Sequence, residues 1–209
     1  LFNYIWREYN HASSKIYIIK TDSEGNELWN KTITGSYLRY ARAVQQAPDG
    51  GYFIIGSTQE NSAGSFDMLL IKIDSNGNTE WQKVFGGIDF EYGYDLSITD
   101  DNYIFLCGVS KTELAESVDV LIIKTDLSGN TIWKKTIGGN YSEYAYGIES
   151  TSENGCMIVG YTNDPALGNG SNNIMVLKLS PSGDIQELLN IDTATYRNVS
   201  VYPNPAKDY

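Results

Sequence analysis

The stretch K-I-D-S-N-G-N-T-E-W, from Lys72 to Trp81, occurs three times with little change. It reads K-T-D-S-E-G-N-E-L-W from Lys20 and K-T-D-L-S-G-N-T-I-W from Lys124, so the copies lie 52 residues apart. Asp22, Asp74 and Asp126 keep this period, as do Gly25, Gly77 and Gly129, and Trp29, Trp81 and Trp133. So do Tyr40, Tyr92 and Tyr144, and Gly56, Gly108 and Gly160. A fourth copy runs two residues late, with Asn173 and Lys178 matching Asp119 and Lys124. Self-similarity of this length marks an array of copied supersecondary units.

One unit, Tyr40 to Phe85, divides into four runs of strand length. Tyr40 to Ala47 ends at the turn Pro48-Asp49-Gly50-Gly51; Tyr52 to Thr58 follows, then a polar loop, Gln59 to Ser65. Asp67 to Ile73 ends at the repeated aspartate turn, and Thr79 to Phe85 closes the unit. Runs rich in β-branched and aromatic residues and bounded by turn residues read as strands. No stretch keeps a helical period. The middle two runs are apolar without alternation, as in Phe53 to Ile55, Met68 to Ile71, Leu121 to Ile123 and Ile174 to Leu177. Such strands are covered on both faces.

The expected fold is all-β: a β-propeller of four-stranded antiparallel blades, with sheets packed face to face around an axis. A β-solenoid is the structural rival. The chain begins inside a blade, with a partial blade over 1–33 and complete blades near 40–85, 92–137 and 144–191. Propellers close with four to eight blades, so the chain reads as a piece whose upstream blades are missing.

The balance of 26 acidic against 15 basic residues gives a net charge of −11, which argues against nucleic acid and anionic membrane as partners. No apolar run approaches the length of a spanning helix, so no membrane insertion is expected. Cys107 and Cys156 occupy unmatched positions and read as small core residues. His11 is the only histidine, which argues against a histidine triad or a multi-histidine metal centre.

Asp74, Asn76 and Asn78 alternate as calcium-loop ligands do. The glycine falls at the fourth position rather than the sixth, however, and Phe85 stands where a bidentate glutamate belongs. The aspartates therefore read as acceptors for backbone N–H groups within hairpins, with glycine supplying the left-handed residue. Tryptophan would bury a large surface between blades. Neither a metal nor a cofactor is expected.

The hairpin element is similar to the tryptophan-docking motif of quinoprotein dehydrogenases and loosely resembles the Asp-box turn of sialidases. The whole unit, G-G-x-x-x-x-Y through D-G-G-Y-x-I-x-G-x-T to K-x-D-x-x-G-N-x-x-W, resembles secreted β-propeller repeat proteins of Bacteroidetes over residues 1–191. After a linker, 192–197, the tail 198–209 contains Tyr202-Pro203-Asn204-Pro205. This resembles the start of the C-terminal sorting domain read by the type IX secretion system. The resemblance implies export across the outer membrane, with release or attachment at the cell surface.

The function expected on these grounds is a non-catalytic binding module for a glycan or a surface protein. In propellers the ligand face is built from the loops that enter the innermost strand. If Tyr40, Tyr92 and Tyr144 open those strands, the candidate contacts are Tyr37, Arg39, Asp89, Phe90, Glu91, Tyr141 and Glu143. They vary between copies while the framework does not. Aromatics beside carboxylates suit stacking on sugar rings. A glycosidase or lyase is the catalytic alternative, with Asp95 and Glu149 as a carboxylate pair on neighbouring inner strands. A structural spacer is the third class.

Overall fold

A computed structural model describes residues 4–8, 15–35, 37, 39–60, 66–87, 90–111, 117–167 and 172–191. Fifteen strands form four antiparallel sheets, and the only helical element among the described residues is a 3-10 turn, Pro165–Leu167. The first sheet holds β1 (Tyr4–Glu8), β2 (Lys15–Thr21) and β3 (Glu27–Ile33). The second holds β4 (Arg39–Gln46), β5 (Tyr52–Thr58), β6 (Asp67–Ile73) and β7 (Thr79–Phe85). The third runs through β8 (Phe90–Ile98), β9 (Tyr103–Lys111), β10 (Asp119–Asp126) and β11 (Thr131–Ile137). The fourth comprises β12 (Glu143–Ser150), β13 (Cys156–Thr162), β14 (Asn173–Leu179) and β15 (Ile185–Ile191). Within each sheet the strands follow chain order, which is the meander of a propeller blade.

The core lies between blades rather than within them, and this explains the unbroken apolar runs. Along β5, Tyr52 and Ile54 enter a cluster with Ile16, Ile18 and Ile33 of the first blade. The residues between and after them, Phe53 and Ile55, enter the next cluster, with Leu96, Ile104, Leu106, Leu121 and Ile123 of the third blade. Strand β6 divides the same way, Leu69 and Ile71 to one side and Met68 and Leu70 to the other. A two-residue side-chain period with both faces covered demands apolar residues at every position. The fourth blade has one such neighbour. Met175 and Leu177 are buried against the third blade, while Val159 and Ile174 on its other face are about half exposed.

The repeated hairpin closes β2–β3, β6–β7 and β10–β11 in one way. Asp74 Oδ1 accepts the N–H groups of Asn76 and Asn78 at 2.9 and 2.8 Å, and its Oδ2 accepts Asn78 Nδ2. Asp22 and Asp126 make the equivalent bonds. The fourth hairpin exchanges the roles: Ser180 Oγ accepts the N–H of Asp184. Each tryptophan then reaches the following blade. Trp29 Nε1 donates to Ser75 O at 3.2 Å and Trp133 Nε1 to Pro181 O at 3.1 Å.

Candidate functional site

The first strands β4, β8 and β12 lie side by side, and side chains stitch them to one another. Gln45 Oε1 accepts the Ile98 N–H at 3.1 Å, and Ser97 Oγ accepts that of Ser150 at 2.8 Å. Asp95 Oδ2 accepts the Ile148 N–H at 3.0 Å while its Oδ1 accepts that of Leu96. Both oxygens of Asp95 are thus engaged with backbone. Glu149 occupies the register position of Gln45 and Ser97, and it is exposed. Of the carboxylate pair considered for glycoside hydrolysis, Asp95 is thus bonded to backbone on two strands and Glu149 is open to solvent. Asp95 is a tie between blades, and Glu149 stands at a tying position.

Each of these strands carries a bulge at the same place. Pairing skips Arg42 between Ala41 and Ala43, Tyr94 between Gly93 and Asp95, and Tyr146 between Ala145 and Gly147. The bulge presses the preceding carbonyl onto the second strand: a Cβ on Gly56 would meet Tyr40 O at 1.6 Å, and Gly108 and Gly160 are as crowded by Tyr92 O and Tyr144 O. Only glycine fits there, which accounts for this member of the repeat. Bulges re-aim side chains. Here they bring Arg42, Tyr94 and Tyr146, from three blades, into one row. The Arg42 guanidinium lies 5.4 Å from the centre of the Tyr94 ring, and Tyr94 meets Tyr146 edge to face at 5.1 Å.

An aromatic wall adjoins the row. Tyr144 stacks on Tyr161 at 4.6 Å and on Tyr146 at 6.0 Å. Phe66 is sandwiched between Tyr40 and Tyr92 at 5.2 and 5.3 Å, and Tyr92 stacks on Phe90. A cavity of about 390 Å³ opens between the third and fourth blades, lined by Phe90, Tyr92, Tyr94, Val109, Lys111, Val118 and Tyr144. Burial, then neighbouring phenols, push the hydroxyl of Tyr94 above its ordinary value, and burial does the same first for Tyr92 and Tyr161. These hydroxyls are neutral at pH 7, able to donate and accept.

The expected loop contacts fare unevenly. Phe90 lines this cavity, while Tyr37 and Tyr141 are exposed elsewhere, Tyr141 beside a second cavity. Asp89 lies outside the described residues, as do Tyr202, Pro203, Asn204 and Pro205. Arg39, Glu91 and Glu143 are corrected: they are 5%, 4% and 7% exposed and sit at blade junctions rather than on a loop surface. Arg39 pairs with Glu60 and donates to Gln82 Oε1, and Glu143 Oε1 accepts Thr162 Oγ1 at 2.8 Å. Their backbones explain this, since Glu91 and Glu143 donate to Phe66 O and Val118 O of the preceding blade, both at 2.7 Å. The residues that the bulges bring together, Arg42, Tyr94 and Tyr146, vary between copies and follow a repeated tyrosine by two positions. The signal for them was the invariant glycine on the adjacent strand.

No family model matches the chain, and no curated protein sequence does. Among solved structures it is similar to puromycin hydrolase, with a TM-score of 0.52 at 15% identity over 88% of this chain and 26% of that one. It is also similar to a protein of unknown function from Bacteroides caccae, with a TM-score of 0.48 at 11% identity over 91% of this chain and 61% of that one. A putative exo-beta-1,3-galactanase from Bifidobacterium bifidum gives a TM-score of 0.49 at 13% identity, over 94% and 68%. The chain thus spans about three fifths of the Bacteroides protein and about a quarter of puromycin hydrolase. At these identities the likeness concerns the fold alone. It nevertheless corrects one expectation, that the chain is not an enzyme: puromycin hydrolase is an enzyme that contains this fold, so the fold is no ground for excluding catalysis. The architecture is that of a β-propeller, represented here by three four-stranded blades and three strands of a fourth.

Proposed function

We propose that this propeller binds a carbohydrate across the row Arg42, Tyr94 and Tyr146 and the adjoining wall of Tyr92, Tyr144 and Phe90. The observation that carries the reading is the bulge repeated in three blades, whose extra residues Arg42, Tyr94 and Tyr146 meet in one row. Flat apolar faces with neutral hydroxyls at their rims suit the C–H faces and hydroxyls of a sugar ring. The single guanidinium supplies a fork of donors for a ring or carboxyl oxygen.

Calorimetric titration with a panel of neutral and acidic oligosaccharides tests this. At least one sugar should bind, with Tyr94→Ala and Tyr146→Ala each weakening it about tenfold or more, equivalent to about 1.4 kcal/mol. Tyr141→Ala, at the separate cavity, should leave it unchanged. Binding that survives both of the first two substitutions would overturn the assignment.

We also propose that the protein acts outside the cell, exported through the type IX system. The support is the resemblance of Tyr202-Pro203-Asn204-Pro205, placed just beyond the last strand, to the opening of that system's sorting domain. A carrier fused to the natural C-terminus should appear outside a type IX-competent host, and alanines at the four positions should reduce its export. Undiminished export of a chain ending at Ile191 would sink the proposal.

A further inference from the structure

Phe90 and Lys111 pair directly across β8 and β9, and Tyr92 pairs with Val109 two positions further on. Side chains two apart along a strand, and those opposite one another, share a face of the sheet. One end of the third blade therefore presents two aromatic rings, a valine and an ammonium group together, and all four line the cavity between the third and fourth blades. Tyr94, the extra residue of the bulge, lines it too. The Arg42 guanidinium lies 5.4 Å from the centre of that same ring. One tyrosine is thus common to the cavity that holds Lys111 and to the row that holds Arg42.

The charge here is one-sided. Among the described residues the lining comprises four aromatic rings, two valines and Lys111, with no carboxylate. Ion pairs neutralise Arg39, Lys72, Lys134, Lys135 and Lys178, and among the described residues none involves Arg42 or Lys111. Arg42 is exposed and Lys111 partly so. Nor does the repeat call for either charge: Arg42 takes the place of Tyr94 and Tyr146, and Lys111 that of Gln59 and Asn163. A chain of net charge −11 repels anions as a whole, so two such cations about one tyrosine make a local attraction for negative charge. The cavity, at about 390 Å³, falls in the size class of small-ligand sites, about 300–1,000 Å³.

We propose that the ligand is an acidic oligosaccharide, a glycan containing uronic acid, whose carboxylates meet Lys111 in the cavity and Arg42 beside Tyr94. The inference rests on the carbohydrate reading given above and narrows it to one class of sugar. The guanidinium fork matches a planar carboxylate with two parallel N–H donors, and the ammonium group contributes a point charge. Within an aromatic cavity such a pair is screened less than one on open surface. The rings of Phe90, Tyr92 and Tyr144 cover the C–H faces of the sugar, and the neutral phenols bond its hydroxyls. A neutral sugar keeps the stacking and loses both ion pairs.

Calorimetry on the whole chain compares trisaccharides of galacturonic, glucuronic and mannuronic acid with their neutral methyl esters. At least one acid should bind about tenfold or more tightly than its own ester. Lys111→Gln and Arg42→Gln should each remove most of that preference and leave the affinity for the ester unchanged. Arg42→Lys, which keeps the charge and loses the fork, should retain part of it. If a variant fails to fold, the ratio of acid to ester in the parent still decides. An ester that binds as tightly as its acid overturns this proposal and leaves the carbohydrate reading standing. So does an equal loss of acid and ester affinity in both glutamine variants, which would put the two cations on sugar hydroxyls. Absence of binding by every acid, every ester and every neutral sugar sinks the carbohydrate reading, and this inference with it.

Discussion

Trp81 of the second blade lies against the backbone of Gly129 in the third, where a Cβ would sit 2.9 Å from Cη2 of the indole. Gly77 receives Trp29 and Gly183 receives Trp133 in the same way. The turn glycine therefore has two duties, a left-handed φ and a surface for the preceding blade's tryptophan.

The two duties separate experimentally. Gly25 has φ +88° and nothing within 4 Å of a Cβ, so Gly25→Ala should cost only the left-handed penalty, about 1–2 kcal/mol. Gly129 has φ +74° and meets Trp81, so Gly129→Ala should cost about 1–3 kcal/mol more. Urea denaturation of the two variants measures the difference. Equal losses would mean that the tryptophan contact contributes nothing.

The hairpin aspartates make stability depend on acid. Bonds from the Asn78 side chain, then its backbone, hold the Asp74 carboxyl below its ordinary value, and Asp22 and Asp126 are lowered likewise. A lowered folded pKa contributes stability above the unfolded value, about 3.9, and loses it as pH falls through the folded value. Asp74→Asn should therefore destabilise at pH 7 and have little effect near pH 2. Melting curves at the two pH values test the sign, and an equal loss at both would refute it.

Asp95→Asn should act on stability. The two oxygens of Asp95 accept the N–H groups of Leu96 and Ile148, and an amide can accept only one of these. Its NH₂ would face the other donor, at a cost of about 1–3 kcal/mol. A chemical denaturation midpoint lowered by this amount is the expected result. An unchanged midpoint would show that the tie between blades is dispensable.

The cysteines should be inert until the protein opens. Cys107 and Cys156 are free and buried, and burial pushes the Cys156 thiol up to about 12 and that of Cys107 up as well. Since the thiolate is the reactive form, labelling by a thiol reagent at pH 8 should follow unfolding. Two equivalents labelled at once in the native protein would contradict the packing.

The 52-residue period determined the blade, its four strands, its turns and the paired burial of β5 and β6. These follow from local chemistry, since aspartate and glycine shape a hairpin and side chains alternate along a strand wherever the sequence occurs. The roles of residues at the blade junctions were decided by tertiary structure. Arg39 and Glu143 open their strands and Glu91 stands second in its own, where loop residues would be expected, yet a backbone bond to the preceding blade draws each glutamate inward. Asp95, considered as half of a catalytic pair, also ties two blades, because the neighbouring strand's N–H meets its second oxygen. Arg42, Tyr94 and Tyr146 share one row because each bulge adds one unpaired residue. A bulge is a mismatch between two strands, so no single strand's sequence displays it, and only the crowded glycine across the ladder hinted at it.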